Sequence, residues 1–419
     1  MSIKETIINS FKGMLGNRLR TALTLLGIVI GMATVIIVYA AGAGIRGLLM
    51  DQVEAFGTDI IETEVKVPSN KKDQVSSEND NAISMATGVQ ITTLTLKDME
   101  DVAKLPNIVN AYAAVMGQEL ITYRNASRKA FLMGTTASYI DIDASKVDQG
   151  RWFTDMEDKS LTQVAVLGYK MANELFGDQD PLGRFIQIRK EKFIVIGVMA
   201  ARGAVMYIDF DDYVYVPIRT LQKKIMGIDY VIYMVHQLAD LSLADDTAEQ
   251  ARWVLRDNHD ITDAWRDDFR VVTMQESMEM LDTMLGALTL LLLAIVAISL
   301  IVGGVGIMNI MYVIVTERTG EIGLRKAVGA TYKNIMYEFL IESVLITILG
   351  GIIGILLGIG LSWLIALGAR NFGLAWQFAI PPQAFIVSIL FSIACGVIFG
   401  LFPAKKAAKL DPIEALRQE

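Results

Sequence analysis

The side chains that could do chemistry are few. Two histidines, His236 and His259, and one cysteine, Cys395, occur in 419 residues. A serine hydrolase would show a GxSxG elbow and a zinc protease an HExxH helix, and neither pattern occurs. Cys395 lies in an apolar run and reads as a small buried hydrophobe. One cysteine allows no internal disulfide and no CxxC metal spacing. The acids of Asp209–Asp212, DFDD, are ligand types for a divalent cation, but beside YVYVP they read as a solvated loop. Asn125–Ser127 fits a glycosylation sequon, a pattern too short to carry weight. The sequence therefore argues against an enzyme; the metal expectation is none, and the catalytic expectation is none.

The informative charges stand between two apolar runs, in VTERTGEIGLRKAVGATYKNIMYEF, Val315–Phe339. Glu317 and Glu321, then Glu321 and Arg325, stand four apart, the second pair in the favourable acid-before-base order. Leu324, Val328, Tyr332, Ile335 and Phe339 recur every three or four residues and predict one apolar stripe. Gly329 stands where a helix C-cap wants glycine, and Thr331 where the next helix wants an N-cap. The expectation is an amphipathic helix, Glu317–Val328, lying on a membrane surface, with a bend at Gly329-Ala330. Joined to apolar runs on both sides, such a helix would move both when pushed.

The elements that hold this segment are four uncharged runs, in a chain that is 53% hydrophobic. They are Thr21–Gly44, Thr283–Thr316, Ser343–Ala369 and Gln383–Ala404, each long enough to cross roughly 30 Å of hydrocarbon. The first exceeds the core of a cleavable signal peptide and reads as an uncleaved anchor. Residues 1–20, 317–342 and 405–419 each carry four lysines or arginines, whereas 370–382 carries only Arg370. The positive-inside rule then places the three basic flanks and both termini in the cytoplasm. Residues 45–282 fall outside; their net charge is −13, against +5 for the remainder. The expected location is a cell (inner or plasma) membrane, crossed four times.

Residues 45–282 suffice for one or two domains. Ala55–Pro68 reads as a helix end, a Gly57 cap and a strand alternating through Ile61, Thr63, Val65 and Val67. Ser69–Gly88 is polar and reads as a mobile loop. Thr95 caps a helix with Asp98 in its first turn, which Pro106 breaks ahead of a strand. The middle, about 120–222, is β-rich. Thr247–His259 is helical, and Phe269–Glu276 is a last strand leading into the second span. The fold class is thus an α+β membrane protein, with an α/β unit outside into which a β-rich subdomain is inserted.

ERTGEIGLRKAVGAT resembles the cytoplasmic signature of the FtsX/MacB permease superfamily. NRLRTALTLLGIVIGMATVI (Asn17–Ile36), FGTDIIE (Phe56–Glu62), GRWFTDMED (Gly150–Asp158), VAVLGYKMANELFGDQDPLGRFIQI (Val164–Ile188) and FPAKKAAKLDPIEALRQE (Phe402–Glu419) resemble further pieces of a MacB-type permease, in order. The resemblance implies a porter-like outer domain and a coupling helix that docks on an ABC ATPase. The coupling and docking residues would be Glu317, Arg318, Glu321, Ile322, Arg325, Lys326 and Gly329. No GxxxxGK[ST] loop occurs to cradle phosphates, so the expectation is an ATPase on a separate polypeptide, with ATP and Mg bound there and no cofactor on this chain. The implied assembly is a homodimer with two ATPase subunits and, further out, a periplasmic adaptor and outer-membrane channel; no nucleic acid is involved. Its action would be mechanotransmission driving efflux of a macrolide, peptide or lipoprotein-like substrate. The alternative is FtsX-like activation of a cell-wall hydrolase without cargo. Glycines Gly303, Gly304, Gly306, Gly350, Gly354 and Gly358 are candidates for close helix packing, within one subunit or between two. The apolar runs hold no Asp, Glu, Lys, Arg or His, which favours force transmission over passage through the bilayer.

Overall fold

The computed structural model describes residues 18–54, 57–66, 91–205, 208–371 and 376–417. Val67, the loop expected over Ser69–Gly88 and the leader up to residue 17 lie outside the described residues. The chain divides into two compact units, Met1–Met50 with Leu281–Glu419, and Asp51–Met280.

The Asp51–Met280 unit is built on one ten-stranded sheet. Its outer part comprises β1 (Ile60–Val65), β2 (Ile108–Tyr123), β11 (Tyr233–Leu238) and β12 (Phe269–Thr273), paired antiparallel in the order β12-β1-β11-β2. The β-rich middle adds β3 (Ala126–Thr135), β4 (Val147–Gly150), β5 (Val164–Leu167), β6 (Phe185–Ile188), β7 (Glu191–Met199) and β10 (Tyr213–Pro217), with a small hairpin of β8 (Ala204–Val205) and β9 (Ile208–Asp209). Pairing in this middle closes on itself, β2 to β3, β10, β5, β7, β6 and back to β2. Ile121, Leu132, Ala165, Ile186, Phe193 and Val214 fill the ring, as the inward positions of a small barrel must. Because β2 belongs to both parts from Ile108 onward, no boundary falls cleanly at residue 120.

The helices of this unit follow their local signals. Thr95 donates its N–H to Asp98 at 2.8 Å, closing the expected cap on helix Leu96–Val102. Helix Ala244–Asn258 buries Ala248, Ala251 and Leu255 at helical spacing. On the opposite face an aromatic cluster gathers Tyr112, Tyr139, Trp152 and Tyr215. The last strand ends earlier than expected. Thr273 and Glu276 form reciprocal 3.1 Å cap bonds, so Met274–Glu276 start a helix instead of extending β12.

The other unit contains α1 (Arg18–Glu54) as far as Met50, α2 (Met274–Glu317) from Leu281 onward, α3 (Thr319–Ala327), α4 (Tyr332–Asn371), α5 (Pro382–Lys409) and α6 (Pro412–Arg417). Among the described residues four helices, α1, α2, α4 and α5, are long and apolar enough to cross a membrane. Hydrogen bonding sustains them past the uncharged runs, so the helices exceed 21–44, 283–316, 343–369 and 383–404 at one or both ends. Their shared core is Ile28, Met32, Leu300, Ile307, Met311, Ile335 and Phe339.

Glycine sets the spacing of these helices. A Cβ on Gly27 would stand 2.9 Å from the Gly303 Cα, and one on Gly304 would enter the Phe399 ring. Gly350, Gly354 and Gly358 receive Ile28, Met32 and Ile36 of α1, one small residue per turn forming a groove for a neighbour. Five of the six glycines thus serve packing within the chain. Gly306 does not: among the described residues nothing lies within 4 Å of its Cβ position. Two hydroxyls tie α4 to α5, Ser343 to the Gly396 carbonyl at 2.8 Å and Ser392 to the Thr347 carbonyl at 2.7 Å. Cys395 is buried in this packing.

Candidate functional site

The segment between α2 and α4 is held by its charges. α3 is shorter than Glu317–Val328: Glu317 is the last residue of α2, and Arg318 occupies the turn. Arg325 joins Glu321 on α3 at 2.5 Å and Glu338 on α4. Arg318 reaches Glu342 at 3.4 Å, a carboxylate buried to 3% exposure. Acids and bases here bind helix to helix, so α3 stands as a bracket on α4.

The bend is made by backbone chemistry. Gly329 adopts φ +105°, where any side chain is strained. Its N–H donates to the Lys326 carbonyl and that of Ala330 to the Arg325 carbonyl, each at 3.0 Å. This pair of bonds is the Schellman closure of a helix. Thr331 Oγ1 then accepts from the Asn334 N–H at 3.3 Å, capping α4.

The bend also divides the expected apolar stripe. Ile335 and Phe339 are buried, whereas Leu324 is 58% and Val328 84% exposed. One helical phase cannot run through a glycine at positive φ, so the two halves face different ways. Leu324 and Val328 instead border an open groove of about 740 Å³ between α3 and α4, with Gly329, Ala330, Tyr337 and Ile341.

Two site residues turn inward. Ile322 is buried. Lys326 donates from Nζ to the Ala408 carbonyl at 2.8 Å and the Leu410 carbonyl at 2.5 Å, at the end of α5. Beside it Gly323 meets α6: a Cβ on Gly323 would lie 2.8 Å from that of Ala415. Sequence reasoning missed Glu338, Glu342 and α6 as partners of α3. The start of α6 was legible, since Asp411-Pro412 pairs an N-cap with an N1 proline, and Asp411 accepts from the Ile413 N–H at 2.8 Å.

In the Asp51–Met280 unit the reactive types are committed elsewhere. His236 is fully buried against the Met99 carbonyl at 3.1 Å, and burial holds it down to about 4. His259 lies between Asp268, 2.8 Å from Nδ1, and Asp98, 3.5 Å from Nε2. Burial alone would lower its pKa, but the two carboxylates outweigh it and raise it to about 9. Asp209 and Asp212 hold Lys170 at 3.1 and 2.6 Å. Asp211 accepts from the Arg202 and Gly203 N–H groups at 2.9 Å. Among the described residues no group of three acid, histidine or cysteine side chains is placed to hold a metal ion.

Four apolar helices, a charged bracket between two of them and a large α+β unit are the architecture of a membrane protein. Comparison with known proteins agrees. Residues 21–252 match the MacB-like periplasmic core domain and residues 293–412 the FtsX-like permease C-terminal domain. The chain is 35% identical over 420 residues to the macrolide export ATP-binding/permease protein MacB of Bdellovibrio bacteriovorus, covering 99% of this chain and 62% of that one. It is 34% identical over 421 residues to the ABC transporter permease YknZ of Bacillus subtilis, covering 100% of both. The chain therefore belongs to the MacB-like, FtsX-like family of ABC transporter permeases. It spans about 60% of the length of the MacB relatives it matches. The periplasmic region of MacB from Actinobacillus actinomycetemcomitans aligns at TM-score 0.46 and 19% identity over 56% of this chain and 98% of that one. The extracellular domain of YknZ aligns at TM-score 0.41 and 22% identity, over 51% and 99%.

Proposed function

We propose that this chain is the membrane subunit of an ABC-type export complex and that α3 is the lever on which a separate ATPase acts. The three basic flanks face the cytoplasm in this reading, with Asp51–Met280 outside. The observation that carries it is Val328, 84% exposed beside Leu324 at the rim of an open groove. Apolar side chains on a short helix fixed by ion pairs form a preorganised contact, and preorganisation lowers the cost of binding. ATP and Mg bind on the partner; ATP-driven closure of two ATPases presses two copies of α3, one from each protomer of a homodimer. α2 and α4 carry the movement outward to the exterior unit. The substrate is periplasmic or membrane-associated, of the macrolide, peptide or lipoprotein-like class, passed on through an adaptor and outer-membrane channel.

The test is co-purification with the co-expressed ABC ATPase subunit of the same cell. Val328→Asp and Leu324→Asp are each expected to reduce captured ATPase at least tenfold, with membrane insertion and thermal unfolding unchanged. Undiminished capture by both variants would remove α3 as the docking element.

A further inference from the structure

The C-terminal end of α5 is an ordinary liability of a helix: its last carbonyls have no partner within the helix. Here the partner comes from a different element. Lys326 Nζ donates to Ala408 and Leu410 at 2.8 and 2.5 Å, and a cation is favoured at that end of the helix dipole. The surface around this contact is closed. Ala404, Ala407 and Ala408 are at most 1% exposed, and Ala415 2%. α6 seats Ala415 against Gly323 so closely that no side chain fits between them. Alanine and glycine leave little to interdigitate, so the approach is set by backbone and is stiff.

We propose that Lys326 and the Gly323–Ala415 contact form a clamp that fastens α3 to α5, making Lys326 a positioning residue for force transmission. This rests on the reading of α3 as the lever. A load on α3 then enters the membrane through three helices rather than two: α2 and α4 by chain continuity, α5 by the clamp. In this reading the Lys326 charge is spent on the chain's own carbonyls rather than on a partner protein. Beyond α3 itself the ion pairs of Arg325 and Arg318 reach α4, so among the described residues no other polar contact of α3 replaces Lys326 toward α5, which Ile322 meets through the apolar core.

Two measurements separate the clamp from the lever. In the purified full-length chain without any partner, Lys326→Met removes the donor while keeping most of the stem. Amide hydrogen exchange over residues 404–417 is expected to rise at least tenfold in Lys326→Met and Gly323→Leu, and to return within threefold of wild type in Lys326→Arg. Unchanged exchange in both variants would overturn the clamp whether or not an ATPase binds. In the complex with the co-expressed ATPase, a spin label at Phe402, an exposed α5 position, reports movement, with Cys395→Ala removing the native thiol. Adding ATP should shift the label spectrum in wild type and Lys326→Arg, with at least fivefold less change in Lys326→Met, while ATPase affinity falls less than threefold. If Lys326→Met instead cost as much affinity as Val328→Asp, Lys326 would be a docking residue and the clamp would be refuted. If wild type bound no ATPase, the lever reading would fail while the exchange result still decided the clamp.

Discussion

Gly27 on α1 and Gly303 on α2 touch backbone to backbone: a Cβ on the first would lie 2.9 Å from the Cα of the second. Neither helix can move closer, and neither can accept a side chain there without separating. Gly27→Leu is therefore expected to destabilise the membrane unit by about 1–3 kcal/mol, the usual cost of overpacking, read as a lower unfolding temperature in detergent. Gly306→Leu should change that temperature little, because its Cβ position is open among the described residues. Equal effects of the two substitutions would contradict this packing.

Stability of the exterior unit should depend on pH through His259. Its pKa is raised from 6.5 to about 9, so its contribution is fully present below about pH 6.5 and lost as pH rises through about 9. With a shift of this size the contribution is of the order of 3 kcal/mol. Asp98 works in the opposite direction. Burial would raise it, but His259 and the Thr95 cap outweigh that and lower it from 3.8 to about 2. Its contribution holds above about pH 3.8 and is lost as pH falls through about 2. Denaturant unfolding of His259→Gln should lose the alkaline dependence; a profile like wild type would reject the assignment.

Arg219 and Asp158 make the test of a buried ion pair. Asp158 is 1% exposed, takes the Arg219 backbone N–H at 2.9 Å and its guanidinium at 2.7 Å. Removing one partner strands the other charge, which typically costs about 3–5 kcal/mol. Arg219→Ala should approach that loss, whereas the double change Arg219→Met with Asp158→Asn should recover at least half of it. Urea midpoints of the three chains decide the matter.

The bracket of α3 can be probed with Glu321→Ala and Arg325→Ala. Arg325 connects both Glu321 and Glu338, so its loss should weaken the α3–α4 junction more than loss of Glu321, which removes one partially exposed pair worth about 0.3–0.5 kcal/mol. ATPase stimulation should fall severalfold in Arg325→Ala and less than twofold in Glu321→Ala, with both chains inserted. The reverse ranking would show that Glu321 acts on the partner directly.

Much of this architecture follows from local patterns that need no partner. Long uncharged runs make apolar helices because a backbone in hydrocarbon must satisfy itself. Gly329 with Thr331, and Thr95 with Asp98, mark helix ends through bonds spanning three to five residues. The helix after Thr95 ends at Val102, earlier than the break expected at Pro106, and is closed by the Ala103 N–H on the Met99 carbonyl. What tertiary structure decided is how distant pieces meet. The strand ring closes only because β6 returns to β2, and periodicity in one strand says nothing about its neighbour. The apolar stripe from Leu324 to Phe339 reads as one face because a periodic count carries phase across a bend that the backbone does not. Lys326 looked like a surface charge because its partners are two carbonyls more than eighty residues away, and carbonyls carry no side-chain signal. Charges advertise themselves in a sequence, but the choice between a partner inside the chain and one outside it belongs to three-dimensional packing.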